Sequence, residues 1–582
     1  MGKAHTNPRK RASYAVVRQP ATPPQAKPAE KIRLLLALAL REYHAEHMAE
    51  VERLCLQILA IDVRHADGLY LLGMAAYKTG RYELAERMIR RAIVVNPHQA
   101  YYQSNLGNAL KALRKFDEAV DCFKRALEVK PDHEEACYNL GNTYLAQKKF
   151  DQAVAAYKQA LAIKPDYVDA LCNLGNAYRQ KKKLDEAIEC FRRALVLAPD
   201  YADLHCNLGD ALHAQGKVDE AISFYQRTLE LNPGHHKACN CMCNAWFDKG
   251  DLVQSTLWCE RALALVPDYG DARMNQCLLQ LLQGDYVNGW RNYEVRWKVY
   301  TPRTSPQPLW LGAPLRGARV LLHAEQGLGD SIQFLRYVPL VQAAGGRVIL
   351  DLPAKLHRLV ERVPGLLAVV NTGDSLPYFD CHCPLMSLPL ALGTTLETVP
   401  AQVPYLSAPP EALAAAATLP WPASGLKVGL AWTGNPDHPK NRFRSLPLEL
   451  LEPLLEIEGL HFFSLQMGPG AEELAARKLP ITDLAPFTCD MADTAAQMAH
   501  LDLVITIDTS MAHLAGALGR PVWVLLGYAP DWRWLLNRDD TPWYPTARLL
   551  RQGTNGDWPP VIARVRTALQ QLAAQKRAGH SA

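Results

Sequence analysis

A proline returns every 34 residues, at Pro97, Pro131, Pro165, Pro199, Pro233 and Pro267, and Gly73, Gly107, Gly141, Gly175 and Gly209 keep the same interval. Ala85, Ala119, Ala153, Ala187 and Ala221 share it, as do the aromatics Phe123, Tyr157, Phe191 and Tyr225. A period of this length marks one supersecondary unit stacked on copies of itself, none of which buries its apolar face alone. Small Gly and Ala sites let paired helices approach, the aromatic is expected to fill the space between repeats, and proline ends the second helix. The pattern degenerates near 32–65 and 270–298, as expected of caps, which predicts seven or eight helix pairs including them.

These sites resemble the tetratricopeptide repeat, a helix-turn-helix unit. Asn105, Asn139, Asn173 and Asn207 recur at one position, followed three residues later by Asn108, Asn142, Asn176 and Asp210. The repeats of protein O-GlcNAc transferases, which these are similar to, carry Asn at the first position. That resemblance implies an inner groove lined by amides, able to grip a polypeptide backbone because each amide offers a donor and an acceptor. The alternative is that the Asn braces the turn between helices.

Charge gives no strong case for nucleic acid. The net charge is only +5, and six basic residues (Lys3, Arg9, Lys10, Arg11, Arg18, Lys27) sit in the first 30 positions. Residues 1–31, rich in Pro, Ala and Gln, are expected to be a disordered basic tail. The apolar run Leu34 to Leu40 is too short to span a bilayer, for which roughly 20 residues are needed, so no stable membrane insertion and a cytoplasmic location are expected. Cys239, Cys241 and Cys243 are read as core filling rather than a metal site, because an i, i+2 spacing on a helix turns side chains to opposite faces. Cys381, His382 and Cys383 are read as structural.

Beyond a Pro-rich stretch at 299–317 the periodicity changes to alternating strands and helices. Arg319 to Ala324 reads as a buried strand, Gly327-Leu328-Gly329-Asp330 as a tight turn, Ser331 to Ala344 as a helix and Arg347 to Leu352 as a second strand. Ile332 replaces the third glycine of a dinucleotide fingerprint, which disfavours NAD. After a Pro/Ala-rich stretch from about 408 to 424, further strands are expected at Lys427–Trp432, His461–Gln466, Leu503–Asp508 and Pro521–Leu526.

Gly329-Asp330 with Ile332 and Pro339, and Asp508-Thr509-Ser510 with His513 before Gly519-Arg520-Pro521, resemble the two motifs of family 9 glycosyltransferases, the bacterial heptosyltransferases. Ser510 departs from the family's glycine. The resemblance implies a GT-B pair of Rossmann-like lobes, with the acceptor side at 318–408 and the donor side at 425–575. It implies a nucleotide-sugar co-substrate, no other cofactor and no metal. Asp330 would be the general base and His323 its rival. Arg442 and Arg444 would neutralise the leaving diphosphate, Arg444 being the better match to the family's lysine. Gly468, Glu472 and Glu473 would meet the nucleoside, and Asp508, Thr509, Ser510 and His513 the rest of the donor. Asp330 could otherwise cap the helix expected at Ser331, His513 could brace its helix, and Trp532-Arg533-Trp534 could stack on a base or pack in the core.

The expected molecule is therefore an all-α tetratricopeptide-repeat superhelix at 32–298 followed by an α/β GT-B domain. Its expected function is inverting transfer of a sugar to a polypeptide recruited by the repeats. The alternatives are a surface glycan or lipopolysaccharide as acceptor, or an inactive scaffold for a partner protein.

Overall fold

The computed structural model describes residues 1, 28–299, 303–436, 438 and 441–579. Of the basic tail expected at 1–31, residues 2–27 lie outside the described residues, and its end is helical rather than disordered, since a helix starts at Pro28. The chain divides into two compact units, Met1–Ala211 and Leu212–Ala582.

From Pro28 to Tyr293 the described residues form eight helix pairs. In a typical pair, Ala100–Ala112 is followed by Phe116–Val129, and the second helix stops at Lys130, directly before Pro131. Proline there lacks the N–H that would continue the ladder. The spaces at Gly107, Gly141 and Gly175 are already occupied: an added Cβ would meet the ring of Phe123, Tyr157 or Phe191 at 2.7, 2.6 and 2.6 Å, respectively. Each aromatic belongs to the second helix of the same pair. The ring therefore presses on its own partner helix, in contrast to the expected filling between successive repeats.

In the first unit the recurring asparagines tie one repeat to the one before it. Asn105 Nδ2 donates to Tyr70 Oη (2.7 Å), and Asn173 Nδ2 to Tyr138 Oη (3.1 Å) and Asn142 Oδ1 (2.9 Å). Asn139 Oδ1 accepts from Lys111 Nζ (3.2 Å), and Asn207 Nδ2 lies 3.5 Å from Cys172 Sγ. All four are half-buried. The bonds reach the neighbouring repeat, rather than the turn within their own.

The second unit begins inside the repeat array. Its α/β part holds two all-parallel sheets. The first is ordered β3-β2-β1-β4, from β1 Arg319–His323, β2 Arg347–Leu352, β3 Leu366–Asn371 and β4 Cys381–Pro384. The second is ordered β10-β9-β8-β5-β6-β7. Its strands are β5 Leu426–Ala431, β6 Leu460–Ser464, β7 Ile481–Asp483, β8 Leu503–Ile507, β9 Val522–Leu526 and β10 Ala547–Arg551. The strands expected from sequence are present within one or two residues at each end. Buried runs such as Leu503–Ile507 are what a sheet covered on both faces requires.

One continuous apolar core includes Val320 and Leu322 of the first sheet, Val504 and Leu526 of the second, and Tyr286, Trp290 and Tyr293 of the last repeat. Trp543 Nε1 donates to Tyr286 Oη (3.0 Å), and Trp290 meets Trp532 edge-on at 5.1 Å. The expected linker is not a free tether over its described part. Trp310 is buried, its N–H donates to His382 O (2.7 Å), and Arg303 pairs with the buried Asp351. A backbone bridge from Leu309 to His382 and the buried side chains of Trp310 and Leu315 lay this Pro-rich chain against the first lobe.

Candidate functional site

In an open parallel sheet the chain leaves a crevice where the strand order reverses, outside the carboxyl ends of the strands. In the first sheet that point falls between β1 and β4, and in the second between β5 and β8. A cavity of about 1160 Å³ opens at these ends. It is walled by the 324–330 turn after β1, by Thr433 to Pro436 after β5, by Gln466 and Met467 after β6 and by Asp508 to Ser510 after β8, with Gly527 and Ala529 to Arg533 after β9. Met274, Leu278, Tyr293 and Trp297 from the last repeat complete the wall.

Of the donor-side residues expected from sequence, Arg444, Asp508, Thr509, Ser510 and His513 line this cavity, and Gly468 does not. Thr509 is the N-cap of the helix Ser510–Ala517, whose first N–H groups have no carbonyl partner within the helix and carry its positive dipole end. Arg444 ends the short helix Asn441–Arg444, donates through Nη1 to Asp508 O (3.0 Å), and lines the cavity. Its buried Nε has no partner among the described residues. An unpaired buried guanidinium N–H is costly unless a ligand accepts from it. Gly434 packs directly on this guanidinium; a Cβ there would lie 2.9 Å from Nη2. Burial raises the Asp508 carboxyl, reinforced by the charge of Asp531 and opposed by Arg533 and Arg444. The side chain of Arg442 lies outside the described residues.

Gly468 caps the helix Pro469–Arg477 at φ +66°, a conformation that favours glycine. Glu472 is exposed and Glu473 accepts from Trp432 Nε1 (3.2 Å), and neither lines the cavity. The helix turns both acids away. The neighbouring Gln466 does line it, and its Oε1 accepts from the Trp432 and Thr433 N–H groups, fixing the loop after β5.

Asp330 also faces the cavity, but the helix it was expected to precede starts earlier. Gly327 is the N-cap of Leu328–Phe334, and Asp330, inside the first turn, accepts from the Gly327 N–H (2.8 Å). Its other oxygen pairs with Arg533, which also donates to Asp531 (2.8 Å) and Gln333 (2.6 Å). Sequence reading did not single out this partner, because Arg533 lies 203 residues away in the other lobe. Trp532 and Trp534 are buried around this charge clamp, while Trp532 and Arg533 also line the cavity.

The two lobes meet closely at this point. A Cβ on Gly329 would stand 2.8 Å from His513 Cδ2 and 3.3 Å from Ser510 Cα. His513 is buried, 2.9 Å from Tyr544 Oη through Nδ1 and stacked on Trp534. Burial, with Arg533, Arg336 and Arg444 nearby, holds its pKa far below the ordinary range, so the imidazole is neutral. It braces the helix while one edge lines the cavity. His323 is buried too, faces His382 at 3.2 Å, and is held down to about 4, chiefly by burial. Of the three grouped cysteines, Cys239 and Cys243 are buried and Cys241 half-buried.

Residues 469–557 match the model of glycosyltransferase family 9 (heptosyltransferase). This covers Asp508 to His513 and Arg533 and leaves Asp330 outside. Tetratricopeptide-repeat models match 70–110, 100–133, 141–178, 175–216 and 202–235. Protein FlbA of Caulobacter vibrioides is 32% identical over 326 residues, which cover 50% of this chain and 54% of that protein. The chain thus spans about half the length of the curated relative it matches. Two solved repeat proteins align with parts of the chain. YrrB is 23% identical, covering 32% of this chain and 97% of that one with a TM-score of 0.29. Pseudomonas aeruginosa PilF is 19% identical, covering 36% and 96% with a TM-score of 0.33. No helix among the described residues is long and apolar enough to cross a membrane. The chain joins tetratricopeptide repeats to a C-terminal domain of the glycosyltransferase family 9 type.

Proposed function

We propose that this chain is a glycosyltransferase that binds a nucleotide-sugar donor across the carboxyl ends of β5 and β8 and inverts the anomeric centre as it transfers the sugar to a hydroxyl of a polypeptide acceptor recruited by the repeats. The observation that carries the reading is the pairing, in one cavity at the strand-order reversal, of a free helix N-terminus with a buried Arg444 N–H that lacks an acceptor. Both features suit a diphosphate. In the displacement, the acceptor oxygen bonds to the anomeric carbon, the bond to the leaving phosphate oxygen breaks, and the acceptor proton passes to a base. Arg444 and the helix dipole take up the charge on the departing nucleotide, a clamp that needs no metal.

Both Asp330 and His323 line the cavity, and Asp330 fits the base better because its carboxylate is partly open there, whereas His323 is buried against His382. The amide ladder fits the capture of an acceptor less directly than expected, since each of the four asparagines already has a neighbour in the array. Amides have more than one hydrogen-bonding site, so capture and bracing are compatible.

Calorimetry of the full chain against UDP-, GDP-, ADP- and CMP-sugars tests the donor reading. One preferred donor is expected, with affinity about tenfold or more weaker in Arg444→Ala, the loss of roughly one charge-assisted hydrogen bond. A folded chain that binds none of the four sinks the reading in favour of a scaffold.

A further inference from the structure

Arg296 lies in the four-residue helical turn Arg296–Val299 that closes the repeat array, and none of its side chain reaches solvent. Its Nε and Nη2 donate to the two oxygens of Glu325 at 2.8 and 3.1 Å. Nη1 donates to Glu294 (2.6 Å) and to Tyr293 O (3.3 Å), and Nη2 also donates to Ser387 Oγ (2.6 Å). Glu325 begins the cavity-lining turn after β1 and accepts in addition from the Met386 N–H (3.1 Å). One residue on, Gln326 Nε2 donates to Tyr293 Oη (3.0 Å). The turn that ends in Asp330 is thus gripped at its start by the last repeat and at its end by Arg533 of the other lobe.

A buried ion pair such as Arg296 with Glu325 gains little over an apolar filler, because desolvation offsets most of the attraction. A forked guanidinium does something an apolar contact does not: it fixes the carboxylate in plane and in register. We propose that Arg296 is a positioning residue, acting through Glu325 to hold the 325–330 turn at the geometry in which Asp330 meets the acceptor hydroxyl. The site is then incomplete without the end of the repeat array. This rests on the transferase reading for its effect on rate, though not for its effect on the turn.

The test compares the full chain with Arg296→Lys, which keeps the charge and loses the fork, and with Glu325→Gln, which keeps the shape and loses the charge. Transfer is followed with the donor found by calorimetry, and amide hydrogen exchange is followed on peptides covering 325–330. A misplacement of this kind is expected to lower kcat by about tenfold to a hundredfold. Donor affinity should stay within about twofold, since Arg444 and the Ser510 helix are untouched. Exchange should speed up at 325–330 and stay unchanged in β8 and β9. If Arg296→Lys does not fold, Glu325→Gln carries the same readouts. Wild-type kcat in a folded variant, or a lowered kcat with unchanged exchange at 325–330, overturns the proposal. If the wild-type chain transfers no sugar, the transferase reading fails, and the exchange measurement alone decides whether Arg296 sets the turn.

Discussion

Burial makes His323 a sensor of acid for the fold. In the unfolded chain it takes up a proton as pH falls through about 6.5, whereas the folded protein refuses it until about 4. The unfolded state therefore binds more protons across that window, and stability is lost as pH falls. The full window corresponds to on the order of 3 kcal/mol. His382 and His513 are shifted in the same direction, while the raised Asp508 carboxyl works against them. Melting of the wild type is expected to weaken from pH 7.5 to pH 5, and His323→Gln should flatten that slope. An equally steep slope in the variant would assign the titration elsewhere. Residues of this kind were only partly legible in advance. Asp508 and Thr509 stood next to a strand end that the sequence marks, and Arg444 in the loop that follows another. Arg533 and Glu325 owe their roles to partners on other elements, and Arg296 acts through a pairing that no spacing announces.

Among the elements, the turn joining the two helices of a repeat hides a second 34-residue series. Gly80, Arg114, Lys148, Lys182, Gly216, Gly250 and Gly284 all have positive φ, between 58° and 88°. At Lys148 the following N–H, of Lys149, reaches back to Tyr144 O (2.9 Å), the closing bond of a left-handed helix end. Three of these positions carry long basic side chains in a conformation that costs an L-residue roughly 1 kcal/mol. Lys148→Gly is expected to stabilise the array by about that amount, less the entropy glycine adds to the unfolded chain. Denaturant unfolding of the full chain checks it, and a midpoint shifted downward would show that Lys148 makes compensating contacts. The series escaped notice because glycine and lysine share no chemistry; the backbone angle unites them. The proline, alanine and glycine packing sites were readable because each has one steric job. The strands β4, β7 and β10 were not, since they are short or lack a sustained apolar run, and β3 was missed despite its run Leu366 to Val370.

For the molecule as a whole, the compact unit that holds the cavity starts at Leu212, far upstream of the composition change near 317. Tyr286 and Trp290 fill the core beside Trp543 and Phe334. Deleting a single buried Trp costs about 3–5 kcal/mol, which is comparable to the net stability of many domains. A fragment of residues 318–582 is accordingly expected to lack a cooperative thermal transition, whereas 212–582 should melt cooperatively. A 318–582 fragment that melts like the longer one would show that the repeats only decorate the α/β part. The Pro-rich segment misled because composition reports where regular structure pauses, and packing decides where a folding unit ends. The hydrogen bond from Trp543 to Tyr286 has a further consequence for recombination. A chimera made at the proline-rich seam would give the α/β part a foreign helix where it needs its own tyrosine, so exchange of repeat modules, in evolution or in the laboratory, has its workable crossover upstream, among the repeats themselves.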